Sequence, residues 1–232
     1  MKMTPLQSPN SSIIKIKDIK RSFRLGTQTI DVLKGISLDI KKGEFVALMG
    51  PSGSGKSTLL NILGLLDVPT SGSYMLDEEN VEKLSSDNLA DIRNKKLGFI
   101  FQSFNLIPKV SALDNVVLPS IFYVKEETDK AVQLLTKLGL EDRLDHLPNE
   151  LSGGQKQKVA IARSLINSPE ILFADEPTGN LDSKSGDEVL EIILNLNKKD
   201  GKTIVMVTHD DSISAMADRV VHIKDGYLVN GL

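Results

Sequence analysis

A glycine-rich segment between an apolar stretch and a helical pattern constrains this chain more than any other feature. Phe45 to Met49 reads FVALM, and residues 50–57 then read GPSGSGKS, which matches the pattern G-x-x-x-x-G-K-[ST]. The apolar stretch predicts a buried strand, and Lys56 to Leu66 has the spacing of a helix. A strand, a glycine-rich turn and a helix in this order predict an α/β fold that holds phosphate groups at the start of the helix.

Each residue type in this loop has a physical role in phosphate binding. Glycines let the loop curl so that backbone N–H groups point at phosphate oxygens, and the helix N-terminus adds partial positive charge. We expect Lys56 to reach the β- and γ-phosphates, Ser57 to hold Mg²⁺ and Thr58 to support the α-phosphate. The alternative is a turn that merely joins a strand to a helix. The predicted nucleotide contacts are Gly50, Pro51, Ser52, Gly53, Ser54, Gly55, Lys56, Ser57 and Thr58.

A second apolar stretch ends in two adjacent carboxylates. Ile171 to Ala174 predicts another buried strand, and Asp175 and Glu176 follow it directly. We expect Asp175 to coordinate Mg²⁺ through water or Ser57, and Glu176 to orient or deprotonate the attacking water. Taken without the phosphate loop, the two carboxylates could be explained as an acidic cap at the start of a helix. Beside a phosphate loop, the pair favours nucleotide hydrolysis.

The composition excludes several classes of protein. The 232 residues include 28 Lys+Arg and 31 Asp+Glu, a net charge of -3, which argues against a nucleic-acid partner. The chain has no cysteine, so disulfides and thiolate zinc sites are excluded. No apolar run approaches the roughly 18–20 residues of a spanning helix, and Met1 to Ser12 does not resemble a signal peptide. We therefore expect a chain that neither spans nor crosses a membrane unaided.

The pattern of apolar runs predicts one domain with an internal helical part. Residues 1–12 are predicted to be a flexible segment, residues 13–232 one domain, and residues 103–150 a helical subdomain inserted into it. Helical spacing marks Thr128 to Leu138 and Glu188 to Asn197. The predicted strands are Ile13 to Ile19, Ile36 to Ile40, Phe45 to Met49, Leu97 to Phe101, Ile171 to Ala174, Thr203 to Val207 and Val220 to Lys224.

The pentapeptide LSGGQ at Leu151 to Gln155, between the phosphate loop and the carboxylate pair, resembles the signature motif of ABC ATPases. The resemblance extends from Ile13 to about Gly226. It implies a P-loop NTPase core with a mainly parallel sheet flanked by helices, an N-terminal antiparallel β portion and the helical subdomain. It also implies a head-to-tail dimer. Each subunit would close over the ATP of the other with Ser152, Gly153, Gly154 and Gln155.

The same resemblance suggests roles for four more side chains. Phe23 would stack on adenine, Gln102 would sense Mg²⁺ and the attacking water, and His209 would contact the γ-phosphate. Asp182 would lie in a loop along the dimer interface. The alternatives are a core phenylalanine, a polar strand end, a helix-capping or buried histidine and a helix-start aspartate.

Three segments resemble one branch of the family. Residues 99–108, 115–119 and 177–182 are similar to the branch that serves lipoprotein release, macrolide or peptide export and antimicrobial-peptide resistance. This implies an integral membrane permease as partner and a place on the cytoplasmic face of the cell membrane. Lys156 and Lys158 stand where the family commonly has Gln or Arg, and Lys158 lacks the bidentate fork of an arginine.

Three competing functions can be compared with the sequence. Asn197 to Asp200 matches the N-K-x-D pattern of GTPases, but it ends a helical pattern before Gly201 rather than following a strand. ABC ATPases of DNA repair or translation usually carry a coiled-coil insertion or two fused ATPase domains, and a single set of motifs fills this chain. A division or regulatory complex at a membrane stays open beside transport.

Overall fold

The computed structural model describes residues 11–121 and 127–229. Residues 1–10 of the predicted flexible segment lie outside these ranges, as do residues 122–126 of the predicted helical subdomain and residues 230–232. The first strand begins at Ser12, one residue before the predicted start of the fold at Ile13.

Strands and helices alternate over most of the chain. The strands are β1 (Ser12–Leu25), β2 (Gln28–Lys41), β3 (Phe45–Met49), β4 (Ser71–Leu76), β5 (Glu79–Asn80), β6 (Leu97–Phe101), β7 (Ile171–Asp175), β8 (Thr203–Val207), β9 (Arg219–Lys224) and β10 (Tyr227–Val229). The helices are α1 (Lys56–Leu63), α2 (Ser86–Lys96), α3 (Ala112–Ile121), α4 (Thr128–Lys137), α5 (Gly153–Leu165), α6 (Ser183–Lys198) and α7 (Asp211–Ser214), with 3-10 turns at Val81–Lys83 and Pro148–Glu150. None of the helices in the described ranges combines the length and the apolar composition that a membrane span requires.

A six-stranded sheet forms the centre of the molecule, in the order β10-β9-β3-β8-β7-β6. All its neighbours pair in parallel except β9 and β10. Every residue of β3 and β8 is buried, as expected of apolar strands covered on both faces. The predicted α/β fold with a mainly parallel sheet is confirmed. The carboxyl ends of β3, β7 and β8 meet at one edge of this sheet.

A second, antiparallel sheet has the order β2-β1-β4-β5 and confirms the predicted antiparallel β portion. The predicted strands Ile13 to Ile19 and Ile36 to Ile40 were too short, because β1 and β2 continue as a paired ribbon whose outer residues are exposed and mix polar side chains with Phe23, Leu25 and Ile30. The strands β4, β5 and β10 were not predicted, since they are short or begin with small polar residues. The predicted helix from Lys56 to Leu66 stops at Leu63, where Gly64 follows.

Among the described residues, three apolar cores hold these layers together. The first lies between the two sheets and includes α1. The second covers the opposite face of the parallel sheet with α6, through residues such as Ile193. The third contains Val116, Leu135 and Val159 from α3, α4 and α5. Because Ile161 of α5 belongs to the second core, this helix joins the helical layer to the sheet. The limits of 103–150 for a helical subdomain stay a prediction.

Candidate functional site

Two glycines shape the loop between β3 and α1. Gly50 has a φ of 147°, and a Cβ there would lie 2.0 Å from the carbonyl oxygen of Ile223. Gly55 has a φ of 106°, and its Cβ would lie 2.8 Å from Cδ2 of Leu33. Both positions combine a left-handed backbone with close neighbours, so only glycine fits them. The loop therefore turns sharply and ends directly at the first residue of α1.

The start of α1 is arranged to receive an anion. The described side chains form no cap at Gly55, and no acidic residue lies in the first turn, so the backbone N–H groups there can bind phosphate oxygens. Lys56 is buried, and its Nζ donates to the carbonyl oxygens of Gly50 at 2.8 Å and Pro51 at 2.9 Å. These hydrogen bonds hold the ammonium group against the loop.

Asp175, at the end of β7, reaches the phosphate loop. The Ser57 hydroxyl donates to its Oδ1 at 3.3 Å. Burial raises the pKa of Asp175 and the neighbouring Glu176 adds to this effect, whereas the Ser57 hydrogen bond and the charge of Lys56 oppose it. A desolvated carboxylate beside a hydroxyl is an arrangement of hard oxygen donors that suits a divalent cation.

Glu176 and His209 face each other at the ends of neighbouring strands. Glu176 Oε1 lies 3.4 Å from His209 Nδ1, and the His209 side chain is 71% exposed. The Glu176 backbone has a φ of 45°, unusual for a residue with a long side chain, and its N–H donates to Val207 O at 3.0 Å. The turn after β7 thus directs this carboxylate toward the histidine that follows β8.

A cavity of about 440 Å³ brings the phosphate loop, Glu176 and His209 together. Val32 of β2, which no sequence motif marks, completes its wall. The cavity is lined by Val32, Gly50, Ser52, Gly53, Gly55, Lys56, Ser57, Thr58, Glu176 and His209. Seven of the nine predicted phosphate-loop residues are among these, and Pro51 and Ser54 are not.

Other predicted site residues do not line this cavity within the described part of the chain. Phe23 lies on β1 opposite Ile30, with its side chain partly exposed. The Gln102 amide donates to Asn180 Oδ1 at 3.5 Å, and the Asn180 amide donates back to Gln102 O at 3.0 Å. A Cβ on Gly179 would lie 2.7 Å from Gln102 Nε2. Gln102 therefore faces the loop after β7.

The signature segment starts α5, away from the cavity. Ser152 and Gln155 form a capping box: the Ser152 hydroxyl accepts from Gln155 N at 3.3 Å, and Gln155 Oε1 accepts from Ser152 N at 2.9 Å. A Cβ on Gly154 would lie 2.8 Å from Ser185 Oγ. Asp182 caps α6 by accepting from Ser185 N at 3.0 Å, and hydrogen bonds from Ser185 lower the pKa of Asp182.

Two side chains of α5 that the sequence analysis missed tie this helix to the loops after β6 and β7. Gln157 is fully buried and donates from Nε2 to Pro177 O at 2.7 Å and Phe101 O at 3.4 Å. Arg163 donates to the carbonyl oxygens of Phe104 at 2.7 Å and Asn105 at 2.5 Å. A glutamine four residues before Ile161, on an apolar helix face, was the available signal for Gln157.

Lys158 and the N-K-x-D pattern both make contacts within the subunit that account for their residues. Lys158 Nζ lies 2.8 Å from Glu188 Oε2, so its ammonium joins α5 to α6 within the subunit. Asn197 of the GTPase-like N-K-x-D pattern is buried, and its amide donates to Gly43 O and Lys202 O, both at 2.9 Å. This amide closes the end of α6, which agrees with the helix-end interpretation of the motif.

Comparison with known proteins identifies one family. The ABC transporter family profile matches residues 33–179. The macrolide export ATP-binding/permease protein MacB of Bdellovibrio bacteriovorus is 55% identical over 217 residues, which are 93% of this chain and 33% of that protein. The chain thus spans about a third of the MacB relatives that it matches.

Other relatives have nearly the same length as this chain. The uncharacterized ABC transporter ATP-binding protein YvrO of Bacillus subtilis is 50% identical over 94% of this chain and 96% of its own length. MJ0796 of Methanocaldococcus jannaschii, also an uncharacterized ABC transporter ATP-binding protein, is 48% identical over 92% of this chain and 94% of its own length. A dimeric post-hydrolysis structure of MJ0796 with ADP and Pi has a TM-score of 0.87 at 46% identity, covering 94% of this chain and 97% of that one.

Proposed function

Because this chain belongs to the ABC transporter family, we propose that two copies of it hydrolyse ATP together and drive a separate membrane permease. The observation that carries the proposal is the cavity in which the phosphate loop, Glu176 and His209 meet. One wall binds phosphate through backbone N–H groups, and the opposite wall supplies a carboxylate and an imidazole. This combination suits attack of water on a terminal phosphate.

Lys56 and the start of α1 bind and orient the triphosphate. The buried ammonium can move its hydrogen bonds from the loop carbonyl oxygens to phosphate oxygens, which are stronger acceptors because they are charged. Backbone N–H groups in the first turn of α1 hold the phosphate chain in one position. Little energy is then spent on reorganisation when charge develops at the γ-phosphate.

The oxygens of Ser57 and Asp175 fit Mg²⁺. Both are hard donors, and they lie close enough to share a cation or its bound water. Among the described residues there is no group of three or more His, Cys, Asp or Glu that could hold a metal alone, so phosphate oxygens and water would complete the ligand set. When bound, Mg²⁺ would neutralise charge on the phosphate oxygens. Gln102 is a proposed contributor to the same region.

Glu176 activates the attacking water in this proposal. Its carboxylate lines the phosphate cavity, whereas the carboxylate of Asp175 is engaged with Ser57. The Glu176 carboxylate accepts a proton as water attacks the γ-phosphate. His209 lies 3.4 Å from it and is exposed toward the cavity, so the imidazole can contact the γ-phosphate and keep the carboxylate oriented.

A second copy of the chain would complete the site. Ser152, Gly153, Gly154 and Gln155 do not line the cavity of their own subunit in the described part of the chain. In the proposed head-to-tail dimer they close over the partner's ATP, and Asp182 lies along the interface. The solved MJ0796 neighbours, which are dimers, support this arrangement.

A charge at Ser152 tests this closure. Ser152→Asp keeps a good helix cap but places a negative charge beside the partner's γ-phosphate. We expect ATP binding by the single subunit to persist and the ATPase rate to fall by about tenfold or more, because like charges brought together in an interface cost several kcal/mol. Nucleotide titration and steady-state phosphate release measure the two effects.

Ser152→Asn is the matched control, since asparagine caps as well as aspartate and adds no charge. Gly154→Asp is a poorer test because its Cβ would also displace Ser185. Wild-type turnover by Ser152→Asp would show that the signature segment does not close the partner's site.

The proposed permease and substrates are those of the family branch that serves lipoprotein release and macrolide or peptide export. MacB relatives are named as ATP-binding and permease proteins in one chain, and this chain corresponds to about a third of them. We propose that this chain works with a permease as its partner, with the ATPase on the cytoplasmic face of the membrane, and the ATP-binding relatives YvrO and MJ0796 support this proposal. The proposed substrates are lipoproteins, macrolides or peptides. Identifying the membrane protein that co-purifies after mild detergent extraction tests the partner directly, and a division-complex protein there would contradict transport.

A second cleft, of about 600 Å³, is the proposed docking site for a cytoplasmic helix of the permease. Its lining includes Asn105 and Pro119 from the region Gln102 to Pro119, and Phe101, which directly precedes that region. Leu66 on its rim is 46% exposed. An exposed apolar rim on a concave surface is typical of a protein contact.

Leu66→Glu is expected to uncouple the ATPase from the permease. A carboxylate on the cleft rim would be desolvated by a docked apolar helix, so permease capture should fall by about tenfold or more while basal ATP hydrolysis by the isolated subunit is unchanged. Val68→Glu is the matched control, because Val68 is 60% exposed and does not line the cleft. Equal capture by both variants would point to another docking face.

A further inference from the structure

We propose that Arg21 is a positioning residue for nucleotide binding: fixed by Asp67, it supports one face of the Phe23 ring and leaves the other face to stack on adenine. The inference rests on the proposed ATP site and on the assignment of Phe23 as the base-stacking residue. It adds a residue that acts through Phe23. Comparing the binding of ATP with that of a ligand that has no base distinguishes failure of this inference from failure of the phosphate site.

The guanidinium of Arg21 is held in one position. Its Nε donates to Asp67 Oδ2 at 2.9 Å and its Nη2 donates to Oδ1 at 2.7 Å, so the pair is bidentate. The two side chains are only 20% and 24% exposed. Asp67 is itself fixed, because its Oδ1 also accepts the backbone N–H of Val68 at 2.8 Å. This planar fork restricts the orientation of the guanidinium more than a single hydrogen bond would.

The fixed cation covers one face of the aromatic ring. Arg21 Cζ lies 4.5 Å from the centroid of the Phe23 ring, within the range of a cation–π contact. Phe23 is nevertheless 37% exposed. One ring face is therefore supported while more than a third of the side chain is exposed, which leaves room for a base to stack on the ring.

Phe23 stands on the strand pair that borders the phosphate cavity. It lies opposite Ile30 of β2, and Val32, two residues further along that strand, lines the cavity. The residue opposite Arg21 is Leu33, which packs against Gly55 of the phosphate loop. A base extending from phosphates bound at that loop would thus meet the part of the sheet that carries Phe23.

Support of this kind strengthens stacking in two ways. A ring that already has one orientation loses less side-chain freedom when a base binds. A cation on one face also draws π-electron density toward itself, which reduces repulsion between the opposite face and the electron-rich purine. The guanidinium remains a cation beside the ring, but its ion pair with Asp67 cancels the long-range field at the phosphates, so the effect should depend on the base and not on the phosphates.

Binding of two ligands to four proteins tests the inference. The ligands are ATP and tripolyphosphate, which has no base, and the proteins are wild type, Arg21→Met, Phe23→Leu and the double variant. We expect Phe23→Leu to weaken ATP binding by about tenfold and Arg21→Met to weaken it by about three- to fivefold. In the Phe23→Leu background Arg21→Met should add no further loss, and neither substitution should change tripolyphosphate binding. Arg24→Met, on the same strand and exposed, is the control for removing an arginine.

Each other outcome contradicts a separate statement. If Arg21→Met weakens ATP binding equally with and without the Phe23 ring, or weakens tripolyphosphate binding as much, Arg21 does not act through the ring and the inference is wrong. If Phe23→Leu has no effect on ATP binding, both the stacking assignment and the inference are wrong. The phosphate site is tested separately by the ATP binding and hydrolysis of Lys56→Ala. Should Arg21→Met not fold, Arg21→Lys removes the bidentate fork but keeps the charge, and a loss of ATP affinity confined to proteins that have Phe23 is again required.

Discussion

Glu176→Gln is expected to lower the steady-state ATPase rate by about a hundredfold or more, because it removes the positioned general base. The amide keeps the size of the side chain, and it can still accept a hydrogen bond from water or His209. ATP binding should therefore persist. Phosphate release under saturating ATP and a separate nucleotide titration measure the two quantities.

The same substitution should trap the dimer. Removing a negative charge close to the γ-phosphate lowers the repulsion that opposes closure, and slow hydrolysis keeps ATP in place. Size-exclusion chromatography with ATP should show a dimer for Glu176→Gln and mainly monomer for wild type. Glu170→Gln is the control, since Glu170 precedes the same strand but pairs with Lys42 at the surface. Full ATPase activity in Glu176→Gln would contradict the mechanism whatever the oligomeric state.

Lys56→Ala is expected to abolish hydrolysis and to weaken ATP binding by about 10- to 100-fold, the range for losing a hydrogen bond between charged groups. The ammonium is the charged group held within the phosphate loop, and both its present acceptors are loop carbonyl oxygens. Isothermal titration with ATP and phosphate release under saturating ATP measure the two losses.

The control for Lys56→Ala is Lys202→Ala. Lys202 is a partly buried lysine whose ammonium, like that of Lys56, donates to a backbone carbonyl oxygen, that of Pro169, but it lies outside the cavity. If Lys202→Ala reduced ATP affinity as much as Lys56→Ala, the loss would report a general change in the fold. Near-normal turnover in Lys56→Ala would remove the phosphate-site assignment altogether.

The core of the site could be predicted because three apolar strands carry it. β3, β7 and β8 are buried along almost their whole length, so their composition marks them in the sequence. Parallel strands place their carboxyl ends at one edge of the sheet, which is where Lys56, Glu176 and His209 come together. The motif, the strand and the fold all give the same prediction at these positions.

The remaining contacts could not be predicted because they depend on residues far apart in the chain. Val32 joins the cavity only because the β1–β2 ribbon folds over the phosphate loop. Gln157 bonds to the carbonyl oxygens of Phe101, at the end of β6, and Pro177, in the loop after β7. Such bonds use backbone acceptors, which every residue possesses, so the acceptors leave no mark on the sequence. Gly154 was assigned to the partner's nucleotide, and its contact with Ser185 inside the subunit was likewise not visible.

Because Glu176 has a left-handed backbone conformation, substitutions at this position that raise thermal stability are expected to lower activity. A residue with a Cβ costs of order 1–3 kcal/mol in a sparsely populated backbone region, and glycine adopts that region at little cost. Random mutagenesis followed by selection for heat resistance alone would therefore enrich glycine or asparagine at this position. Neither residue can take a proton from water, so the most heat-resistant descendants of this chain would be ATP-binding proteins that no longer turn over.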